Sequence, residues 1–272
     1  MTNARLKSLI SPFRLPDGQM VWHVVGSEFE VSFIYREIFA ERVYEHLAPA
    51  LAPGSVVVDA GANIGLFTLS LLAREIPIRV VCFEPVPATR TCLERNLAAA
   101  RRHAGCRIEV QACALGKLDG HADFTFFPRA PGNSTLFPER KPDEFDAISQ
   151  EQPRFAVEVR NFLHGLLQKE ERIVCPISRL STVIARERLE RIDLLKIDVE
   201  GAELEVLDGL DESDWHRVRH LVMECALWNK PRLPALRAQL LTRGFKEVVF
   251  GGPSGAERAL HDGHTCMLYA RR

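Results

Sequence analysis

Four carboxylates stand directly after apolar, β-rich runs. Asp59 follows Val56-Val57-Val58, Glu84 follows Val80-Val81-Cys82-Phe83, Asp198 follows Leu194-Leu195-Lys196-Ile197, and Glu224 follows Leu221-Val222-Met223. If the runs are strands of one parallel sheet, the four acids converge. Ligands of open α/β sheets bind beyond the carboxyl ends of the strands, where strand order reverses. Asp59 opens the turn Asp59-Ala60-Gly61-Ala62-Asn63-Ile64-Gly65. Glycine lets the backbone approach a ligand, and a helix from Ile64 to about Arg74 aims its free N–H groups at the same place. This geometry suits a nucleoside cofactor. A pyrophosphate prefers an uncharged G-x-G-x-x-G turn, whereas an acid in the turn repels phosphate and favours a cation. S-adenosylmethionine carries a sulfonium, an ammonium and no phosphate, so Asp59 argues for methyl transfer over hydride transfer. Glu84 lies 25 positions further on. It ends the second strand, where a carboxylate accepts both ribose hydroxyls.

Each acid also has a plainer use. Asp59 and Asp198 suit turns and helix caps, and Glu224 could simply meet solvent. Methyl transfer to an alcohol needs a general base or a metal that stabilises the developing alkoxide. Asp198, Glu200 and Glu224 offer a carboxylate base or, alternatively, oxygen ligands for magnesium; Asp198 is the acid placed closest to the chemistry. His23, His164, His216 and His264 are the other candidates, although a lone histidine is more often structural or solvated.

The elements that must position these groups are read from periodicity. Met20–Val25 and Phe29–Ile34 alternate around Gly26-Ser27 and predict a hairpin. Ile38, Phe39, Val43 and Leu47 have helical spacing, ended by Pro49 and Pro53-Gly54. Strands at 55–59, 79–83 and 107–112 then alternate with helices at 64–74 and 88–101, which implies a parallel sheet with crossovers. The rhythm breaks from Gly116 to about Cys175. There Phe124–Phe127, Arg154–Arg160 and Arg172–Ile177 read as β-type and Glu144–Glu151 as an acidic, mobile stretch, so the segment is expected to be a β-rich insertion near the cofactor mouth. The core resumes with a helix at 180–189, a strand at 193–197, a helix at 202–207, a strand at 219–223 and a helix at 233–243. Strands at 245–250 and 265–270 close the chain. The expected fold is a Rossmann-like, mostly parallel seven-stranded sheet with helices on both faces. Residues 1–54 form an N-terminal hairpin and helix, and residues 55–272 form the cofactor-binding core with its insertion at about 116–177.

The 272 residues carry a net charge of -1, so no global basic field points to nucleic acid. The seven cysteines show no C-x-x-C pair or Cys/His cluster, which suits reduced thiols in a cytoplasmic protein. Met1–Ser11 has no long apolar h-region, and no stretch approaches the ~20 apolar residues that span a bilayer.

The motifs Asp59-Ala60-Gly61-Ala62-Asn63-Ile64-Gly65, Phe83-Glu84-Pro85 and Leu195-Lys196-Ile197-Asp198-Val199-Glu200-Gly201-Ala202-Glu203 resemble the FkbM-type methyltransferases. The resemblance extends to Ile34-Tyr35-Arg36-Glu37-Ile38-Phe39, Phe126-Phe127-Pro128-Arg129 and Gly132-Asn133-Ser134, and so runs from about Glu30 to Glu224. These outer pieces resemble a branch associated with polyketide and non-ribosomal peptide assembly lines. The resemblance implies a class I S-adenosylmethionine-dependent fold and, usually, O-methylation of a natural product or sugar. It places Asp59, Gly61 and Asn63 along the methionine part and Glu84 on the ribose. Cys113 and Ala114 come near adenine, and Asp198 near the ammonium or sulfonium. Arg129, Asn133 and Ser134 become acceptor-side residues, although Pro131-Gly132-Asn133 also suits a plain turn. A carrier-bound acceptor would bring an acidic partner to Arg101-Arg102 or Arg140-Lys141. N- or C-methylation on the same scaffold, an inactive cofactor-binding module and a nicotinamide oxidoreductase are the rival readings. An inactive module is expected to lose Asp59, Glu84 or Asp198, and all three are present.

Overall fold

Runs such as Val56-Val57-Val58 and Leu194-Leu195, apolar at successive positions, are built to be covered on both faces. The computed structural model describes residues 6, 8–45, 50–100, 105–150, 153–251, 260 and 265–272. The chain opens with strands β1 (Ile10–Arg14) and β2 (Met20–Val24), then helix α1 (Glu28–Tyr35), which runs into a π-helical turn at Arg36–Glu41. The core begins with β3 (Val56–Ala60), α2 (Leu66–Leu72), β4 (Arg79–Phe83), α3 (Pro87–Ala100) and β5 (Arg107–Gln111). Next come β6 (Ala114–Leu115), β7 (Gly120–Phe126), α4 (Lys141–Gln150), α5 (Ala156–Leu166) and β8 (Glu171–Ser178). The chain finishes with α6 (Leu180–Glu187), β9 (Leu194–Ile197), α7 (Glu203–Asp208), β10 (His220–Cys225), α8 (Leu233–Thr242), β11 (Glu247–Gly251) and β12 (Cys266–Arg271).

The main sheet has seven strands in the order β11-β12-β10-β9-β3-β4-β5. β10, β9, β3, β4 and β5 pair in parallel, and β12 runs antiparallel to both its neighbours. This is the α/β fold expected from the alternation of strands and helices. Val57, Val80 and Cys82 face an apolar layer that includes Leu69, Leu93 and Leu97 of α2 and α3. Val58, Val81 and Phe83 face the other layer, built on Leu180, Val183, Leu204, Leu207 and Leu236 of α6, α7 and α8. The chain winds from β3 outward through β4 and β5, then returns to β9 on the other side of β3. The switch point therefore lies between β3 and β9, and the loops after these strands face each other there.

Three local expectations are corrected. The hairpin pairs β1 with β2, Ile10 opposite Val24 and Arg14 opposite Met20, so it lies one strand earlier than expected. Residues 29–34 belong to α1 instead. Phe29, Val31 and Phe33 alternate, but Glu28 and Glu30 also favour a helix N-terminus, and packing of Val31 and Ile38 into the core decides for the helix. Residues 156–160, expected to be β-type, are helical in α5. Residues 144–150, expected to be mobile, lie in α4 with Glu144, Phe145 and Ser149 buried. The insertion is thus a small three-stranded sheet, β6-β8-β7, with two helices. Leu47, Pro49, Arg101, Arg102, Glu151 and His264 lie outside the described residues. No described helix is long and apolar enough to cross a membrane.

Two contacts dock the outer pieces on the core. Asn96 of α3 accepts from Trp22 N at 2.6 Å and donates to Trp22 O at 3.0 Å, fixing the hairpin. Glu30 of α1 is buried, and its two carboxylate oxygens accept from Gly132 N at 2.9 Å each, joining α1 to the insertion. Burial raises the Glu30 pKa to about 7, although the N–H donors of Gly132 and Asn133 oppose the rise. A raised carboxylate pKa means the folded state holds its proton more tightly. The stabilisation is therefore full at low pH and is lost as pH rises through about 7. The contribution is at most about 3 kcal/mol. Thermal unfolding is expected to show a stability that falls between pH 5 and pH 8. In Glu30→Gln this fall becomes shallower; an unchanged slope contradicts the assignment.

Candidate active site

Beyond the switch point lies a cavity of about 990 Å³, at the upper end of the range for ligand pockets. Its floor is the Gly61–Ile64 turn after β3, Glu84–Val86 after β4, and Asp198–Glu200 after β9. Glu224 from β10 and Thr265, Met267 and Tyr269 at β12 form one wall. The N-terminal segment from Glu30 to Tyr44 and insertion residues from Pro131 to Ile148 cover it.

The turn after β3 is set by sterics. Gly61 has φ +76, and a Cβ on it would lie 1.7 Å from the Asp198 carbonyl oxygen, so only glycine lets the β3 and β9 loops touch. Asn63 follows at φ 49. The N–H groups of Gly61 and Ala62 donate to Phe83 O at 3.2 and 2.9 Å, tying the turn to the end of β4. Glu84 is held from both sides. Its Oε1 accepts from Val86 N at 2.8 Å and its Oε2 from Asn63 N at 3.1 Å. Each oxygen keeps a further lone pair for a ligand hydroxyl. Burial raises its pKa to about 7, against the donors at Val86 and Asn63 and the Arg90 and Lys196 charges.

Asp59 occupies a different position from the one expected. It is fully buried and does not line the cavity. Its Oδ2 accepts from Thr68 Oγ1 at 2.8 Å, and its Oδ1 lies 3.3 Å from Lys196 Nζ. Lys196, in the middle of β9, is the hub of the site. Its ammonium also lies 3.3 Å from Asp198 Oδ2 and donates to Gly61 O at 2.8 Å. Burial works against this charge, but Asp198 and Asp59 outweigh it and push the lysine pKa up. Asp59 therefore acts through Lys196 rather than on a ligand.

Asp198 and Glu224 do meet. Tyr44 Oη donates to Asp198 Oδ2 at 2.9 Å and lies 3.3 Å from Glu224 Oε2. Thr265 Oγ1 donates to Glu224 Oε1 at 2.7 Å. Burial and the neighbouring acids raise the Tyr44 pKa well above its usual range, so the phenol is a neutral donor. Burial and then Asp198 push Glu224 up to about 7. Glu200 does not join them. It pairs with buried Lys141 of α4, which also pairs with Glu144 at 2.7 Å. Among the described residues no group of three or more His, Cys, Asp or Glu side chains is arranged to hold a metal ion.

Of the other expected site residues, Ala114, Asn133 and Ser134 line the cavity, whereas Cys113 and Arg129 do not. Cys113 is buried. Arg129 reaches the carbonyl of Gly165 at 3.4 Å on the surface. Lys141 is buried and cannot serve as surface charge. The histidines are elsewhere: His23 contacts Ser11 and Ser27, His164 contacts Asp146, and neither these nor His216 line the cavity. Glu30, Glu37, Tyr44 and Lys196 were not singled out from the sequence, and Lys141 was expected on the surface rather than at the cavity. Only Lys196 carried a signal, a lysine within an otherwise apolar central strand, which must be paired to be buried.

The fold and this pocket define a class I methyltransferase core. The cavity suits S-adenosylmethionine: Glu84 has lone pairs free for a ribose, the Gly61 turn offers bare backbone, and Asp198 and Glu224 favour positive charge. A family model described as the methyltransferase FkbM domain matches residues 59–247. The chain belongs to the FkbM methyltransferase family and is an S-adenosylmethionine-dependent methyltransferase. It is 34% identical to Methyltransferase 1 of Beauveria bassiana, over 89% of this chain and 92% of that one. It is 36% identical to the 31-O-demethyl-FK506 methyltransferase FkbM of Streptomyces tacrolimicus, over 80% and 83%. Among solved structures it shares the fold of a methyltransferase FkbM from Methylobacillus flagellatus, with a TM-score of 0.53 at 16% identity, covering 87% of this chain and 47% of that chain.

Lys196→Met strands Asp59 as a buried charge without its ion-pair partner and is expected to cost about 3–5 kcal/mol in denaturant unfolding. Adding Asp59→Asn to that variant is expected to recover most of the loss. Equal stability of the single and double variants contradicts the pairing.

Proposed function

We propose that the protein transfers a methyl group in line to a hydroxyl oxygen of a natural-product acceptor, a polyketide, peptide or sugar. The observation that carries this reading is the placement of Glu84, Asp198 and Glu224 around one cavity, with Asp198 and Glu224 joined through Tyr44. The Streptomyces tacrolimicus relative, a 31-O-demethyl-FK506 methyltransferase, supports the oxygen as nucleophile.

When bound, S-adenosylmethionine supplies a methyl carbon made electrophilic by its sulfonium. In this reading Glu84 holds the ribose hydroxyls, Ala114 borders the base, and Gly61, Asn63 and Asp198 flank the methionine end. Asp198 is committed to Lys196 and Tyr44, which leaves Glu224 as the better proton acceptor. A carboxylate with a pKa near neutrality is well matched to take a proton from an acceptor as it reacts. Asn133 and Ser134 face the acceptor side, beneath the insertion. Alignment of oxygen and methyl carbon by these walls supplies much of the rate. The acceptor is a small molecule, free or carrier-borne. We place the enzyme in the cytoplasm, which the irregular spacing of its seven cysteines, without a C-x-x-C pair, supports. Magnesium at Asp198 and Glu224 is the alternative means of stabilising the alkoxide, and its addition belongs in the test.

Two measurements check the reading. Calorimetry with S-adenosylhomocysteine is expected to give micromolar binding that weakens at least about 100-fold in Glu84→Ala, since two charge-assisted hydrogen bonds are lost. Wild-type affinity is expected to fall as pH drops below about 7, where Glu84 gains its proton; magnesium is expected to leave it unchanged. Incubation of hydroxylated macrolides and sugars with methyl-labelled donor is then expected to place the label on oxygen. Label on nitrogen or carbon, or no binding of the cofactor product, overturns the proposal.

A further inference from the structure

The N-terminal segment brings an acid to the cavity that lies outside the matched span of 59–247. Glu37 sits in the π-helical turn Arg36–Glu41, half-buried, with its side chain on the cavity wall. The segment is held in place where it leaves this turn. Arg42 ends the turn at φ 54, and Val43 O accepts from Tyr269 Oη at 2.6 Å. Tyr44 then packs edge-on against Phe67 and reaches Asp198 and Glu224. Glu37, Asp198 and Glu224 thus line one cavity from three separate elements, and the Glu37 carbonyl accepts from Val43 N at 3.1 Å, next to Tyr44.

The cations nearby are already committed. Arg36 pairs with Glu41 at 3.1 Å on the same turn. Lys196 of β9 is shared between Asp59 and Asp198. Arg42 lies 3.7 Å from Glu45. Tyr44, Thr265 and Tyr269 contribute only neutral hydroxyls. Among the described residues, neither Glu37 nor Glu224 has an ion-pair partner of its own. Two acids so placed resist full ionisation, because each opposes the other's charge and both are only partly exposed to water. Burial first, then Glu224 and Asp198, push the Glu37 pKa up, in the same direction as that of Glu224. Titration of such a pair belongs to the pair rather than to either residue.

We propose that Glu37 and Glu224 form a proton-sharing carboxylate pair that releases its proton when the positively charged methyl donor occupies the cavity and receives the acceptor's proton during transfer. This rests on the methyl-transfer reading above. The charges balance at each stage. On binding, one proton leaves the pair for solvent as one positive charge enters the cavity. On transfer, the acceptor's O–H bond breaks and an O–CH₃ bond forms. The electrons of the S–C bond remain on sulfur as a neutral thioether, and the acceptor proton passes to the pair. The product complex is then neutral at sulfur with the pair protonated, which resets the site. The base is thus armed by the donor's own charge and is protonated when the cavity holds only the product.

The test is calorimetric titration of the intact protein at pH 7.5 in two buffers of different ionisation enthalpy, with S-adenosylmethionine and S-adenosylhomocysteine compared. Proton exchange at Glu84 is common to both ligands and cancels in the comparison. The methyl donor is expected to release up to about one proton more than the thioether. That difference is expected to shrink in Glu37→Gln and in Glu224→Gln. Equal proton counts for the two ligands in the wild type overturn the proposal without any variant, as does a difference undiminished in both variants. Failure of both ligands to bind overturns the methyl-transfer reading itself, and this inference with it.

Discussion

A single ammonium group, almost wholly withdrawn from water, sets the geometry on which the site depends. Lys196 has 3% of its side chain exposed and Asp59 none. A charge in such a place persists only with partners. Its partners are Asp59 at the end of β3, Asp198 at the end of β9 and the carbonyl of Gly61 between them. One side chain therefore fixes both loops that meet at the switch point of the sheet. The absence of a Cβ on Gly61 lets those loops close to contact. Lys196 offsets only one of the two acids it holds, so the net negative charge that a ligand meets comes from Asp198, Glu224 and Glu37, acids set around the cavity by elements far apart in sequence.

The cover of the cavity is assembled on the same principle, with buried acids held by donors rather than left bare. Glu30 holds the Gly132 turn, and Lys141 holds Glu144 and Glu200. Thr135 Oγ1 donates to Glu200 O at 2.6 Å, which ties the insertion to the loop after β9. The N-terminal segment and the insertion are thus parts of the site as well as its roof.

The sequence displayed the sheet more clearly than the cover. Continuous apolar strands ending in acids are legible because burial on both faces removes alternation, and Asp198 and Glu224 fall where strand ends must. Asp59 was legible as a strand-end acid but not as a buried one, since its partner Lys196 comes from 137 positions further on. Phe29–Ile34 misled because its alternation fits a strand as well as the helix that tertiary packing selects. Arg129 follows a turn-rich motif yet points to the surface, which spacing alone does not reveal. Glu37 lies in the π-helical turn and Tyr44 just beyond its end, and only the fold carries them to the cavity.

The central claim is that the Lys196-pinned junction of the β3 and β9 loops is the floor of a cofactor site. A crystal structure of the protein with S-adenosylhomocysteine tests it most directly. The account predicts the ribose hydroxyls on Glu84, the homocysteine end between the Gly61 turn and Asp198, and Lys196 still bound to Asp59. A ligand seated elsewhere, or a Lys196 ammonium turned from Asp59 to meet it, would contradict the account.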